Sequence, residues 1–311
     1  MVHVRPRSAP APLQPPDRPM VVAHRGASSA VAEHTLAAYE AAIASGADAL
    51  ECDVRLTRDG HLVCVHDRTV NRTSNGRGVV SELDLETLDR LDFSSWHGDL
   101  PATADNLLGE SPYLEGVAAD RIEHGGGVLT LELLLGLVHD AERDVRLLIE
   151  TKHPTRYGGL VEQTLVELLA RFGWSGRRGA TQDLRQADLR QPAELDNRVI
   201  VMSFAKTAVR RVRLLAPDIP TVKLMRQIKP KRRDGSLPRG VPIAGPSLQA
   251  LRGCPEFVER AHAHGHPVYV WTVDEPTDVA FVRDLGVDTI ITDRPREVVA
   301  QLDEGASQVP A

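Results

Sequence analysis

Short apolar runs alternate with longer amphipathic stretches along most of this chain, the pattern of strands joined by helical crossovers into a parallel sheet. The run MVVAH at 20–24 predicts a first strand, and an alanine-rich helix over 33–45 follows it and stops at Gly46. Residues 47–53 and 61–66 predict the second and third strands, separated only by VRLT and an Asp59-Gly60 turn. About six extended residues at roughly 3.3 Å each would carry the chain down a barrel before the third strand climbs back. Asp53 and His66 would then return to one rim.

Further along, the periodicity predicts helices over 129–143, 160–172, 206–215, 256–264, 276–285 and 296–302. Strands are expected at 146–150 (RLLIE), 198–204 (RVIVMSF), 220–225, 267–273 (PVYVWTV) and 288–293 (DTIITD). That makes eight strands with mostly helical crossovers, an α/β chain of the (β/α)8 TIM-barrel type over 20–305. A doubly wound open sheet is the alternative, because periodicity does not prove closure. Two stretches break the pattern. Residues 96–127 form an insertion between the third and fourth strands and read as a cap. Residues 226–240 follow the sixth strand and carry Lys229, Lys231, Arg232 and Arg233, either a solvated charge run or a funnel for anionic substrates.

Composition narrows the field. A chain of 311 residues with 42% hydrophobic residues suits one large domain, and a net charge of -6 argues against a nucleic-acid partner. Cys52, Cys64 and Cys254 show no CxxC spacing, so they read as small buried hydrophobes in a reducing compartment. Residues 1–19 carry six prolines and no secretory apolar run, and read as a disordered tail; 306–311 read as a flexible end. No apolar run approaches membrane-span length, so a cytoplasmic protein without membrane insertion is expected.

Ionisable residues gather where strands end: His24-Arg25-Gly26, Glu51-Cys52-Asp53, His66-Asp67 and Glu150-Thr151-Lys152. On a barrel these meet at the rim where catalytic groups are found. Glu51 and Asp53, two apart on a strand, share a face. Close carboxylates at an apolar mouth repel unless a proton or cation intervenes. With Glu150 as a third oxygen donor, a single hard divalent cation, Mg²⁺ or Ca²⁺, fits; a rim of carboxylates paired with Arg25 and Lys152 is the plainer alternative. His24 and His66 flank the carboxylate strand and are suited to paired acid and base work. Arg25 and Lys152 supply positive charge where a phosphate would sit.

These elements resemble the glycerophosphodiester phosphodiesterase family. The likeness runs through VVAHRGAS, AEHTLAAYEAAIASGAD, ALECDVRLTRDGHLVCVHD, TLELL, LIETKHP, VIVMSF, VYVWTVDEP and IITDRP. It implies a TIM barrel that hydrolyses glycerophosphodiesters to sn-glycerol 3-phosphate and an alcohol. It further implies Glu51, Asp53 and Glu150 on the metal, His24 and His66 as acid and base, and Arg25 and Lys152 on the phosphate. Glu33 would line the site, and Trp271 would wall it or pack into the core. A lysophospholipase D reaction on lipids, or an inactive barrel used for binding, are the rival functions. The family's usual P-E-N-T reads Ala32-Glu33-His34-Thr35 here, so His34 either supports the first helix or enters the site. The asparagine usual after WTV is Asp274.

Overall fold

Burial dictates the architecture. Strands covered on both faces need near-continuous apolar runs, and those predicted above are buried along almost their whole length. The structure, a computed structural model, describes residues 18–95, 126–175 and 198–306. The predicted tail up to residue 17, the cap segment over 96–125 and the end at 307–311 lie outside the described residues.

The strands are β1 (Met20–His24), β2 (Ala49–Leu56), β3 (Leu62–Cys64), β4 (Arg146–Thr151), β5 (Val199–Ser203), β6 (Thr221–Met225), β7 (Ile243–Pro246), β8 (Tyr269–Val270) and β9 (Thr289–Thr292). All but β3 run parallel, in the order β7-β6-β5-β4-β2-β1-β9-β8. Parallel bridges Ala244–Val268 and Ser247–Trp271 join β7 to β8 and bring the sheet round into an eight-stranded barrel. The longer surrounding helices are α1 (Leu36–Ala44), α3 (Leu131–Asp140), α4 (Leu160–Arg171), α5 (Lys206–Leu215), α7 (Phe257–Ala263), α8 (Pro276–Asp284) and α9 (Pro295–Ala306); α2 (Leu85–Asp89) and α6 (Leu248–Arg252) are single turns. Among the described residues, no helix is long and apolar enough to cross a membrane.

The barrel reaches eight strands by a different route from the one predicted. β2 continues past the rim to Leu56, the chain turns at Gly60 (φ 90°), and β3 descends antiparallel, with Val54 opposite Cys64 and Leu56 opposite Leu62. The excursion goes up and returns, so His66 arrives beside Asp53 from above, and β3 is an arm outside the barrel. Its place is taken by β7, absent from the predicted strands. PIAGPS offers only four strand residues, the last of them a proline, too short for a periodicity signal. A Cβ at Gly245 would lie 2.7 Å from Val222 Cγ1 and 2.9 Å from Leu224 Cδ2, so any larger residue there would push aside the side chains of β6.

The first helix also starts later than predicted. Thr35 caps α1, its hydroxyl accepting from Ala38 N at 3.2 Å, so Glu33 and His34 lie in the turn before it.

Inside the barrel, Val22, Ala49, Leu148, Ile200, Val222, Ile243, Tyr269 and Ile291 form one apolar ring, a residue from each parallel strand. Separate clusters pack the helices on the outside, and Cys52, Cys64 and Cys254 are buried. Val63, Val65, Val70, Val80, Leu88, Phe93 and Val128 form a smaller cluster under the β3 arm.

Candidate active site

Side chains two apart on a strand share a face, so the apolar ring determines what stands above it. Two residues past Val22 is His24, past Ala49 is Glu51 and then Asp53, past Leu148 is Glu150, past Tyr269 is Trp271, and past Ile291 is Asp293. The register places His24 beside Glu51 and Asp53 beside Glu150. The interior face thus changes from apolar to ionisable within one strand repeat.

Glu51, Asp53 and Glu150 each offer a carboxylate oxygen, all within 4.8 Å of one another. They are only 1%, 1% and 7% exposed. Burial and the neighbouring Asp53 charge push the Glu51 carboxyl well above its ordinary value. Burial raises Glu150 too, with Lys152 opposing. Asp53 is held well below the carboxylate range despite burial, by Lys152, His66, His34 and Arg25. Lys152 Nζ lies 3.1 Å from Asp53 Oδ1 and 3.2 Å from Glu150 Oε1, and Arg25 Nε lies 3.3 Å from Asp53 Oδ2. Glu51 receives the Arg25 main-chain N–H at 3.1 Å and stands 4.0 Å from His24 Nε2. Even with Arg25, Lys152 and His24 close by, Glu51 and Glu150 stay raised, because buried carboxylates this close repel one another unless a proton or a cation intervenes. Hard oxygen donors at this spacing fit a divalent cation.

Each histidine is backed by an aspartate. His24 Nδ1 meets Asp293 Oδ1 at 2.7 Å, and His66 Nδ1 meets Asp67 Oδ1 at 2.8 Å. The two rings nevertheless differ in acidity. Burial and the Arg25 charge lower His24, but Asp293 and Glu51 together bring it up to about 9. Burial dominates at His66 and takes it down to about 4 in spite of Asp53 and Asp67.

The remaining predicted residues surround this centre. Arg25 adopts φ 58°, followed by Gly26 at φ 86°, where a Cβ would lie 2.7 Å from Ala38 backbone. Only glycine allows the chain to turn there with α1 so close. Glu33 does not face an open site: Arg72 takes both of its oxygens, at 2.6 and 2.7 Å, and Arg25 meets Oε1 at 3.1 Å. Those arginines outweigh its burial and hold its carboxyl down at about 2. Trp271 is half-buried above Tyr269, donates its indole N–H to Gly245 O at 2.8 Å, and meets Phe204 edge-on at 5.3 Å.

His34 is drawn into the cage. Its Nε2 lies 3.1 Å from Asp53 Oδ2 and its Nδ1 2.8 Å from the Tyr39 hydroxyl, which reaches Glu51 O at 3.1 Å. Burial lowers its pKa, and its Nε2 faces the Asp53 carboxylate.

Sequence reasoning assigned no role to Asp293, Arg72 or Ser28, and named Asp67 only as part of a motif. Strand alternation alone points to Asp293, two beyond Ile291. Ser28 donates to its Oδ1 at 2.9 Å, while Asp274 accepts from Asp293 N at 2.8 Å and fixes that turn. Arg72 donates to Asp67 Oδ2 at 2.6 Å, linking Glu33 to His66; no local spacing signals it, because the link forms across a loop.

Residues 24–297 match the Glycerophosphoryl diester phosphodiesterase family. The chain belongs to this family. It is 44% identical over 288 residues to the "Probable glycerophosphodiester phosphodiesterase 1" of Mycobacterium tuberculosis, covering 92% of this chain and 93% of that one. Among solved structures it resembles a glycerophosphoryl diester phosphodiesterase from Silicibacter pomeroyi, with TM-score 0.70, 24% identity, and 94% and 95% of the two chains covered. A phosphodiesterase from Oleispira antarctica, solved in complex with its product sn-glycerol-3-phosphate, matches with TM-score 0.67 at 21% identity over 92% of this chain and 97% of that one. The last two likenesses concern the fold, which places this chain among the TIM barrels of the family.

Proposed function

We propose that this chain hydrolyses water-soluble glycerophosphodiesters to sn-glycerol 3-phosphate and an alcohol, using a divalent cation and a histidine pair. The observation that carries the reading is the buried carboxylate triad standing between two histidines of opposite acidity. Membership of the family, and the product bound by the Oleispira antarctica relative, point the same way.

Glu51, Asp53 and Glu150 would hold the cation, Mg²⁺ or Ca²⁺, with His34 fixing Asp53 from behind. When bound, such an ion polarises phosphoryl oxygens and offsets the charge that builds in the transition state. Arg25 and Lys152 bind the non-bridging phosphate oxygens, and Glu33 with Arg72 holds Arg25 in place. Asp67 and Asp293 occupy the Nδ1 atoms and leave each Nε2 for the substrate. His66, neutral above about pH 4, takes the proton from the substrate's own glycerol hydroxyl as that oxygen attacks phosphorus and closes a cyclic phosphate. His24, protonated below about pH 9, gives its proton to the departing alkoxide oxygen. The roles then reverse: His24 takes a proton from water, which opens the ring, and His66 returns its proton to the glycerol oxygen. Trp271 supplies an apolar wall.

The test is sn-glycerol 3-phosphate release from glycerophosphocholine by purified protein in EDTA, Mg²⁺ or Ca²⁺, with lysophosphatidylcholine in parallel. Release that EDTA abolishes and a divalent cation restores is the expected outcome. Turnover of the lipid alone would replace the substrate class with lysophospholipids. Absence of release with every metal would sink the reading.

A further inference from the structure

A cavity of 420 Å³ adjoins the site, between the β2–β3 arm and the segment after β4. Among its lining side chains Arg55, Arg68, Lys152 and Arg156 are cationic, against a single carboxylate, Glu82. Its inner wall is continuous with the triad. Arg55 follows Glu51 and Asp53 along β2 by the same two-residue step, and Lys152 follows Glu150 just beyond β4. Lys152 Nζ contacts Asp53 and Glu150, and Arg55 donates to His66 O from Nε at 3.1 Å and from a terminal nitrogen at 2.7 Å. These two side chains border the reacting centre and the cavity at once. Arg68 and Arg156 stand exposed on the outer wall, Arg156 3.7 Å from Glu82. The walls are tied together where the Tyr157 hydroxyl donates to Ser81 O at 2.8 Å.

We propose that this cavity is a subsite for the alcohol arm of the diester, and that it selects arms carrying an anionic group, a phosphate or a carboxylate. The inference rests on the hydrolytic reading and specifies its substrate class. A phosphodiester has one charged centre, which Arg25 and the triad region already receive. Lys152 shares in that phosphate contact, and the glycerol arm, small and neutral, gains nothing from the remaining cations, Arg55, Arg68 and Arg156. A quaternary ammonium arm would meet mostly like charge in this cavity, where Arg156 already faces Glu82, whereas an anionic arm forms charge-assisted hydrogen bonds there. The volume lies within the roughly 300–1,000 Å³ of small-molecule sites.

The experiment compares kcat/KM for glycerophosphoglycerol and for its phosphomonoester, glycerophosphoglycerol phosphate, a pair that differs only by the added phosphate. At low salt the unmodified enzyme should favour the phosphorylated diester by about tenfold, an advantage that shrinks as salt screens the charges. The Arg68→Gln/Arg156→Gln double variant should lose most of that ratio. Equal kcat/KM for the two diesters in the unmodified enzyme, or an unchanged ratio in the variant, overturns the subsite. Should neither diester nor glycerophosphocholine be hydrolysed, the hydrolytic reading falls separately. The subsite is then judged by calorimetric affinity for the same two compounds: tighter binding of the phosphorylated one, lost in the variant, supports it, and equal binding rejects it.

Discussion

Two histidines with the same kind of partner, an aspartate at Nδ1, end up on opposite sides of neutrality. The difference lies in what else they face. His24 stands beside Glu51 as well as Asp293, and its raised pKa of about 9 means that it keeps its proton below that pH and loses it above. Arg25 lowers both rings, but at His66 burial, with Lys152 adding to it, outweighs Asp53 and Asp67 and takes the pKa to about 4, so its proton is absent above that value. An acid and a base therefore coexist between those limits, and kcat/KM should fall on the alkaline side as His24 deprotonates. Asp293→Asn removes the charge that raises His24 while keeping an oxygen at Nδ1, leaving Glu51 alone against burial and Arg25. The alkaline limb should then move down by more than about one pH unit, read from the kcat/KM profile. A limb that stays in place would assign it to another group. At this scale the sequence was informative: the triad, both histidines, Arg25 and Lys152 come together as strand-end spacing predicts. Glu33 was expected to line the site, and its clamp on two arginines was not legible, because Arg72 reaches it from 39 residues away.

Among the elements, long runs were legible and short ones were not. α5 falls at 206–215 as predicted, since its apolar face repeats cleanly. β7 was invisible because four residues ending in Gly-Pro carry no alternation, and the β2–β3 hairpin was misdirected because a two-residue turn signal says nothing about which way a strand points relative to the rim. The link between β1 and α1 depends on one position. Gly26 combines a φ of 86° with Ala38 backbone only 2.7–2.8 Å from where a Cβ would stand. Gly26→Ala should cost about 3 kcal/mol and lower the Tm accordingly; an unchanged thermal midpoint would contradict the close approach. The same strain would displace Arg25, so turnover should fall further than stability.

For the whole molecule, an acidic chain that handles an anionic substrate needs local reversal of charge. The segment after β6 offers one, with Lys229, Lys231 and Arg233 exposed on the C-terminal side of the barrel. Neutralising these three should raise the KM for a glycerophosphodiester several-fold at low salt and remove most of its salt dependence, with kcat little affected. An unchanged KM at low ionic strength would make the segment a solvated surface. A division of labour runs through the same molecule. The carboxylates belong to the closed barrel, whereas His66 hangs from a hairpin with its own small apolar cluster. His66 thus depends on packing that the carboxylates do not share, although β2 carries Glu51 and Asp53 into the same hairpin and Val65 N donates to Asp53 O at 3.0 Å. Val65→Ala, which hollows that small cluster, should depress kcat while the Kd for Mg²⁺ or Ca²⁺ stays within about twofold; equal losses in both would show that arm and barrel yield together. In the proposed mechanism, such an enzyme would lose its base while its carboxylates still hold the cation.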